Sequence, residues 1–257
     1  MAPRTPIAPG TITQTDWLEG VPQIAPATVD LVYADPPFAT GKTQRGRSGA
    51  YDDVWPSLDA WALWLRERLI ATRPLLKNTG SILLHVDWRT SHRARVVLDE
   101  IFGPESFVNH LVWVYGLGGS SPRRFARKHD DILFYAAQPD QHYFQPPRVP
   151  ATSRRLRGQT KKATDVIDLP AADVLRVPTI NNMALERTGY PTQKPLALLT
   201  LLIEACCPPD GLVLDPCCGS GTTLAAARQT GRRWIGLDRS DQAVAIARQR
   251  CADTASP

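Results

Sequence analysis

The sequence predicts an α/β fold: a doubly wound, mostly parallel sheet with helices on both faces, plus a loop-rich insertion. Three observations carry this. Short, near-continuous apolar and β-branched runs recur along the chain, as expected of strands buried on both faces. Helical patterns separate most of them, and that alternation builds a parallel sheet. One of the strands leads straight into a Gly-Ser-Gly turn and a helical stretch, the arrangement that binds ligands at the edge of open α/β sheets.

Strands are expected at Val29–Ala34, Ser81–Val86, Phe107–Tyr115, Ile132–Ala137, Leu212–Leu214 and Trp234–Leu237. A helix is expected over Leu58–Leu76, capped by Ser57, with Trp61, Trp64, Leu65 and Leu69 on its apolar side. A second runs over Thr90–Phe102 and stops at Gly103. Residues Ala39–Tyr51 read as a polar, Gly-rich, basic loop that moves. From Gln138 to about Thr188 the chain is rich in Pro, Arg, Lys, Gln and Thr with little periodicity, which suits an inserted loop or small subdomain better than sheet. The expected division is one catalytic domain from 1–137 and 189–257, interrupted by an insertion at 138–188.

A chain of 257 residues, 43% hydrophobic, is the size of one large domain with a modest insertion. No run of about 18 apolar residues occurs and Met1–Pro6 lacks an apolar leader, so a soluble, cytoplasmic protein is expected. The cysteines fall as Cys206-Cys207, Cys217-Cys218 and Cys251, which is neither a disulfide framework nor the C-x-x-C spacing of a zinc site, so reduced thiols and no metal are expected. The net charge of +5 favours a polyanionic partner. Between Gln141 and Thr164 stand Arg148, Arg154, Arg155, Arg157, Lys161 and Lys162 with no acidic residue.

Two motifs carry chemistry. Asp35-Pro36-Pro37-Phe38 directly follows the apolar strand Val29–Ala34, at the strand end where such sheets bind ligands. The lone pair of an exocyclic amine on a base is delocalised into the ring, so the nitrogen is a poor nucleophile until acceptors hold its hydrogens. Asp35 and the Pro36 carbonyl could be those acceptors, braced by the two prolines. Phe38 could stack on the base, a contact typically of about 1–3 kcal/mol. As a bare tripeptide, Asp-Pro-Pro is equally a turn; its place after a buried strand and before an aromatic favours function.

The second motif runs from Leu212 through Asp215, Pro216, Cys217, Gly219, Ser220 and Gly221 into a helix starting near Thr222-Thr223. Leu224 occupies the third glycine position of the G-x-G-x-x-G fingerprint, so a zwitterionic amino-acid head fits this turn better than a pyrophosphate. Strand Trp234–Leu237 ends in Asp238-Arg239, where a carboxylate can accept from both ribose hydroxyls of an adenosine ligand. Asp238 is otherwise an N-terminal charge for the helix that follows.

These residues resemble the amino-methyltransferases of DNA, specifically the permuted β group. In that family the Asp-Pro-Pro-aromatic motif precedes the cofactor loop, as Asp35–Phe38 precedes Asp215–Gly221 here. Thr192-Gln193-Lys194-Pro195 resembles the Lys-Pro element that closes over the cofactor, and Asp16-Trp17 the acidic element near its adenine. The late strand motif resembles Lys128–Tyr135. Only Gln138–Thr188 lacks a match; Cys217 stands where Phe is frequent and Asp238 where Glu is frequent. The resemblance implies a Rossmann-like class I methyltransferase fold in circularly permuted order, S-adenosyl-L-methionine as cofactor, double-stranded DNA as substrate, and adenine N6 as target, since Asp at position 35 resembles the adenine group. It makes 138–188 the target-recognition insertion, and a homodimer and a cognate restriction endonuclease candidate partners. Base chemistry on a duplex further implies flipping of the target nucleotide, with Lys42, Arg45, Arg47, Arg123, Arg124, Arg127, Arg154, Arg155, Arg157, Lys161 and Lys162 as candidate nucleic-acid contacts.

Rival readings are cytosine-N4 methylation, which uses the same chemistry; cytosine-C5 methylation through Cys217, disfavoured because that cysteine sits in the cofactor loop; an RNA or protein amide methyltransferase; and a catalytically silent nucleic-acid-binding module.

Overall fold

The computed structural model describes residues 5–115, 121–168, 175–180 and 186–253. The strands are β1 (Thr11–Gln14), β2 (Val29–Ala34), β3 (Lys42–Gly46), β4 (Gly49–Asp53), β5 (Leu76–Val86), β6 (Phe107–Val114), β7 (His129–Ala136), β8 (Arg148–Pro150), β9 (Thr160–Lys162), β10 (Val166–Ile167), β11 (Leu212–Asp215) and β12 (Arg233–Asp238). The helices are α1 (Trp17–Gly20), α2 (Leu58–Thr72), α3 (Ser91–Phe102), α4 (Leu196–Cys206), α5 (Thr222–Gln229) and α6 (Asp241–Asp253).

Eight strands form one sheet in the order β1-β12-β11-β2-β5-β7-β6-β10. All neighbours are parallel except β7, which runs antiparallel to both β5 and β6. Successive side chains of a strand point to opposite faces. In β2, Val32 and Ala34 accordingly join Trp61, Leu65 and Leu69 of α2 and Leu98 of α3 on one side. Leu31 and Tyr33 join Leu198, Leu199 and Leu202 of α4 and Ala226 of α5 on the other.

The chain continues from β2 to β5 in one direction across the sheet and from β11 to β12 in the other, so adjacent β2 and β11 mark the point where the order reverses. Asp30 ties this centre together. It is buried, and it accepts from Leu212 N of β11 at 2.8 Å and from Lys77 Nζ of β5 at 2.8 and 2.9 Å.

The expected strands and both expected helices are present, with shifted ends. The first helix stops at Thr72, because Arg73–Leu75 tighten into a 3₁₀ turn and Leu76 begins β5. Ser57 caps it, accepting from Ala60 N at 3.1 Å. Gly103 ends α3 at φ +89. Two segments differ from expectation. Residues Lys42–Asp53 are not an irregular loop but the hairpin β3–β4, paired from Lys42↔Asp53 to Gly46↔Gly49. Described parts of the 138–188 segment join the main body: β10 pairs with Val112 and Trp113 of β6, Tyr143 N donates to Thr79 O of β5, and Gln145 N donates to Ala205 O of α4. Within it β8 and β9 form a hairpin, while 169–174 and 181–185 lie outside the described residues. Among the described residues no helix is long and apolar enough to cross a membrane.

The clamp at Asp30 yields a stability prediction. Asp30→Ala leaves the Leu212 amide without its acceptor and a half-exposed Lys77 without its partner, a loss of about 2–3 kcal/mol. Urea unfolding of the two proteins measures it.

Candidate active site

The carboxyl ends of β2, β11 and β12 open on one cleft. Three of its carboxylates stand at strand ends, Asp35 after β2, Asp215 ending β11 and Asp238 ending β12, and Asp16 and Asp52 line it as well. Asp215 is 2% exposed, and burial first, with the charges of Asp35 and Asp238 adding to it, pushes its carboxyl up to about 7. Bonds from Thr223 and from Cys217 N, at 3.1 Å, oppose that rise. Burial raises Asp238 as well, against bonds from Ser240 N at 2.9 Å and Gly219 N at 2.8 Å. A cleft lined by crowded, partly desolvated acids suits a cationic ligand.

The turn between β11 and α5 is shaped by its glycines. Gly219 and Gly221 sit at φ +51 and +75, and a Cβ on Gly221 would come within 2.8 Å of Ala247 Cβ on α6. Only glycine allows that backbone and that contact together. The turn presents Cys217, Gly219, Ser220, Thr222 and Thr223 to the cleft, while Gly221 caps α5 behind it.

Asp35 does not stand free. Lys194 Nζ lies 2.8 Å from Oδ1 and 2.7 Å from Oδ2, and 4.9 Å above the Phe38 ring. Each carboxylate oxygen has two acceptor positions, so this pairing fixes the carboxylate and leaves it able to accept more. Trp61 Nε1 donates to the Pro37 carbonyl at 2.7 Å. Phe38 stacks on His85 at 6.0 Å between centroids. His85 is wholly buried, with Nδ1 2.8 Å from the Tyr33 hydroxyl and Nε2 3.2 Å from Asp130 Oδ2.

Asp16 borders the cleft and pairs with Arg68 at 2.8 Å, and Arg68 lies 4.1 Å over Trp64. Trp17, Trp55 and Trp64 form an edge-packed aromatic wall beside it. The strap Tyr190–Lys194 covers the opposite side and meets the β3–β4 hairpin, with Tyr51 Oη 3.2 Å from Thr192 Oγ1 and Ser48 N donating to Gly189 O at 3.2 Å.

The structure therefore gathers Asp16, Trp17, Asp35, Pro37, Thr192, Gln193, Lys194, Asp215, Pro216, Cys217, Gly219, Ser220, Thr222, Thr223, Asp238 and Arg239 around one cleft. Pro36, Phe38, Pro195 and Gly221 stand behind that lining; Phe38 faces His85 and Pro195 caps α4. Among the basic residues, Lys42, Arg45 and Arg47 lie exposed on the β3–β4 hairpin. Arg154, Arg155, Arg157, Lys161 and Lys162 lie on or between β8 and β9, away from the cleft lining.

Sequence reasoning missed Tyr33, Tyr51, Asp52, Trp55, Trp64, Tyr190, Pro191, Leu199, Cys218 and Ser240 of the lining, and it missed Asp53. Buried Asp53 accepts from Ala39 N at 2.9 Å, Thr40 N at 3.0 Å, Thr40 Oγ1 at 2.7 Å and Trp55 Nε1 at 3.1 Å. It fixes the chain leaving Phe38; an acid in a Gly-rich hairpin, next to Val-Trp-Pro, was the available signal. Among the described residues no group of three His, Cys, Asp or Glu side chains is placed to hold a metal ion, and all five cysteines are unpaired.

The sheet order, with one antiparallel strand and a ligand cleft at the reversal point, is the class I methyltransferase fold. Solved structures agree: the M1.HpyAVI–SAM complex superposes with a TM-score of 0.64 at 22% identity, covering 93% of this chain and 97% of that one. The cytosine-N4-specific PvuII DNA methyltransferase superposes at 0.68 with 16% identity, covering 98% and 90%. The profile of the N6/N4 DNA methylase family matches residues 29–249, and the chain belongs to that family. The type II methyltransferase M.EcaI of Enterobacter cloacae is 28% identical over 82% of this chain, which spans 62% of that relative's length.

Asp215 gives the apo protein a measurable pH dependence. Its folded pKa of about 7 lies well above the ordinary aspartate range, so across that window the folded state binds the extra proton. The group's contribution to stability is full below about pH 4 and is lost as pH rises to about 7. Urea midpoints from pH 4 to 8 should fall less steeply in Asp215→Asn than in the wild type.

Proposed function

We propose that the chain is an S-adenosyl-L-methionine-dependent DNA methyltransferase that methylates an exocyclic amine, adenine N6, in double-stranded DNA after flipping the target nucleotide. The observation that carries the reading is the convergence of Asp35, with its Pro-Pro-Phe corner, and the Asp215–Thr223 turn on one cleft. Family membership and the SAM-bound structural neighbour support it.

The residues fit the cofactor. Three acids suit a ligand carrying an ammonium and a sulfonium, Asp238 suits ribose hydroxyls, and the wall of Trp17, Trp55 and Trp64 beside Asp16 suits an adenine. The cofactor supplies an electrophilic methyl group. Asp35 and the Pro36 carbonyl accept the amino hydrogens of the base and turn the nitrogen lone pair out of the ring. With the cofactor bound, Asp35 or water would take the proton that the amine gives up. Lys194 holds the Asp35 carboxylate in one orientation, and Phe38, backed by His85, offers the base a stacking surface. Positioning and fixed charge supply the rate.

Double-stranded DNA is the substrate in this reading, gripped by the basic hairpins β3–β4 and β8–β9, and 138–188 reads the recognition site. A homodimer, a cognate restriction endonuclease and a cytoplasmic location complete it. Cytosine N4 is the second reading, favoured by the PvuII neighbour; Asp35 at the motif's first position favours adenine.

Methyl transfer to genomic DNA, followed by nucleoside mass spectrometry, tests both readings: N6-methyladenine is expected, and N4-methylcytosine as sole product overturns the choice of base. Asp35→Ala should lose roughly 10³-fold in kcat with S-adenosylmethionine affinity kept, whereas Cys217→Ala stays active.

A further inference from the structure

The carboxyl edge of the sheet carries a second feature, beside the cleft and outside its lining. β7 runs antiparallel, so the residues just before it emerge at the same edge as Asp35, two strands away. At strand spacings of about 4.8 Å that is roughly 10 Å. This approach segment, Ser121–Lys128, holds Arg123, Arg124, Arg127 and Lys128 and no acid. Among those cations Phe125 is 97% exposed.

The segment is anchored. Tyr115 N donates to Lys128 O at 2.8 Å, and the Arg127 guanidinium lies 3.2 Å over the ring of Trp88, the second residue past β5. Arg89 lies 4.6 Å from the same ring and pairs with Asp87. Trp88 is itself 37% exposed. A benzyl ring thus projects into water from a braced cationic loop, although buried apolar surface was available on both faces of the sheet. An aromatic ring exposed among cations suits a polyanion with apolar interior surface, such as the base stack of a duplex.

We propose that Phe125 is the wedge that enters the DNA stack beside the target and holds open the space its nucleotide vacates, with Arg127 and Trp88 setting its height. This rests on the methyltransferase reading and assigns Phe125 as a positioning residue for base flipping.

The test uses the full chain and a duplex bearing a site mapped by sequencing DNA that the protein has methylated, with adenine at the target for turnover and 2-aminopurine in its place for fluorescence. On binding, the wild type should raise 2-aminopurine fluorescence. Phe125→Ala should keep duplex and S-adenosylmethionine affinity within about 3-fold, since the cations remain, while the fluorescence rise and kcat fall roughly 10–100-fold, the size of one lost stacking contact. An abasic site opposite the target, which removes the pairing to be broken, should restore kcat in Phe125→Ala, and Phe125→Trp should resemble the wild type. Arg127→Ala should flatten the salt dependence of binding by about one phosphate contact. Unchanged fluorescence and kcat in Phe125→Ala, or a loss the abasic duplex does not relieve, overturns the proposal. A wild-type chain that methylates no DNA fails the underlying reading instead.

Discussion

Parallel pairing of β2 with β11 is the constraint from which the site follows. The pairing is made by residues far apart in the chain, and it leaves both strand ends open at one edge because the flanking strands leave in opposite directions. Two carboxylates, the half-buried Asp35 and the buried Asp215, are thereby brought to one cleft. Their mutual repulsion is part of why the Asp215 carboxyl holds its proton to about 7. A site built this way is poised for cations.

The molecule answers that repulsion with one cation of its own. Lys194 arrives from the strap ahead of α4 and occupies both oxygens of Asp35 while lying over Phe38. Through it the strap, the hairpin that touches the strap at Thr192, and the Asp-Pro-Pro-Phe corner form one connected roof. Behind the corner, the buried Tyr33, His85 and Asp130 back Phe38. The Asp-Pro-Pro-Phe corner is thus held both by packing and by charge.

Much of this was legible before the structure. The runs at Val29–Ala34 and Leu212–Leu214 are apolar at every or nearly every position because both faces of those strands are covered. The motifs at their ends are local, so their identities and their chain order could be read directly. What escaped is bonded at long range or lacks a period. Helix α4, Leu-Ala-Leu-Leu-Thr-Leu-Leu-Ile-Glu-Ala-Cys, is apolar nearly all round and shows no stripe. The hairpin β3–β4 is polar on its own, and its order comes from Asp53 and from the strap. β1 is a four-residue edge strand that is mostly half-exposed. The pairing of β10 with β6 depends on two residues in a segment otherwise rich in turn formers.

The central claim is spatial: one cleft holds the methyl donor on the Asp215–Thr223 turn and the target amine on Asp35. A crystal structure with sinefungin, an unreactive analogue of the donor, and a duplex containing the methylated site measures it most directly. The account predicts the analogue's amino-acid head against that turn, its ribose at Asp238, and the flipped base's amino nitrogen within hydrogen-bond distance of Asp35. An analogue bound elsewhere, or a target base still paired in the helix with the cleft filled, would contradict it.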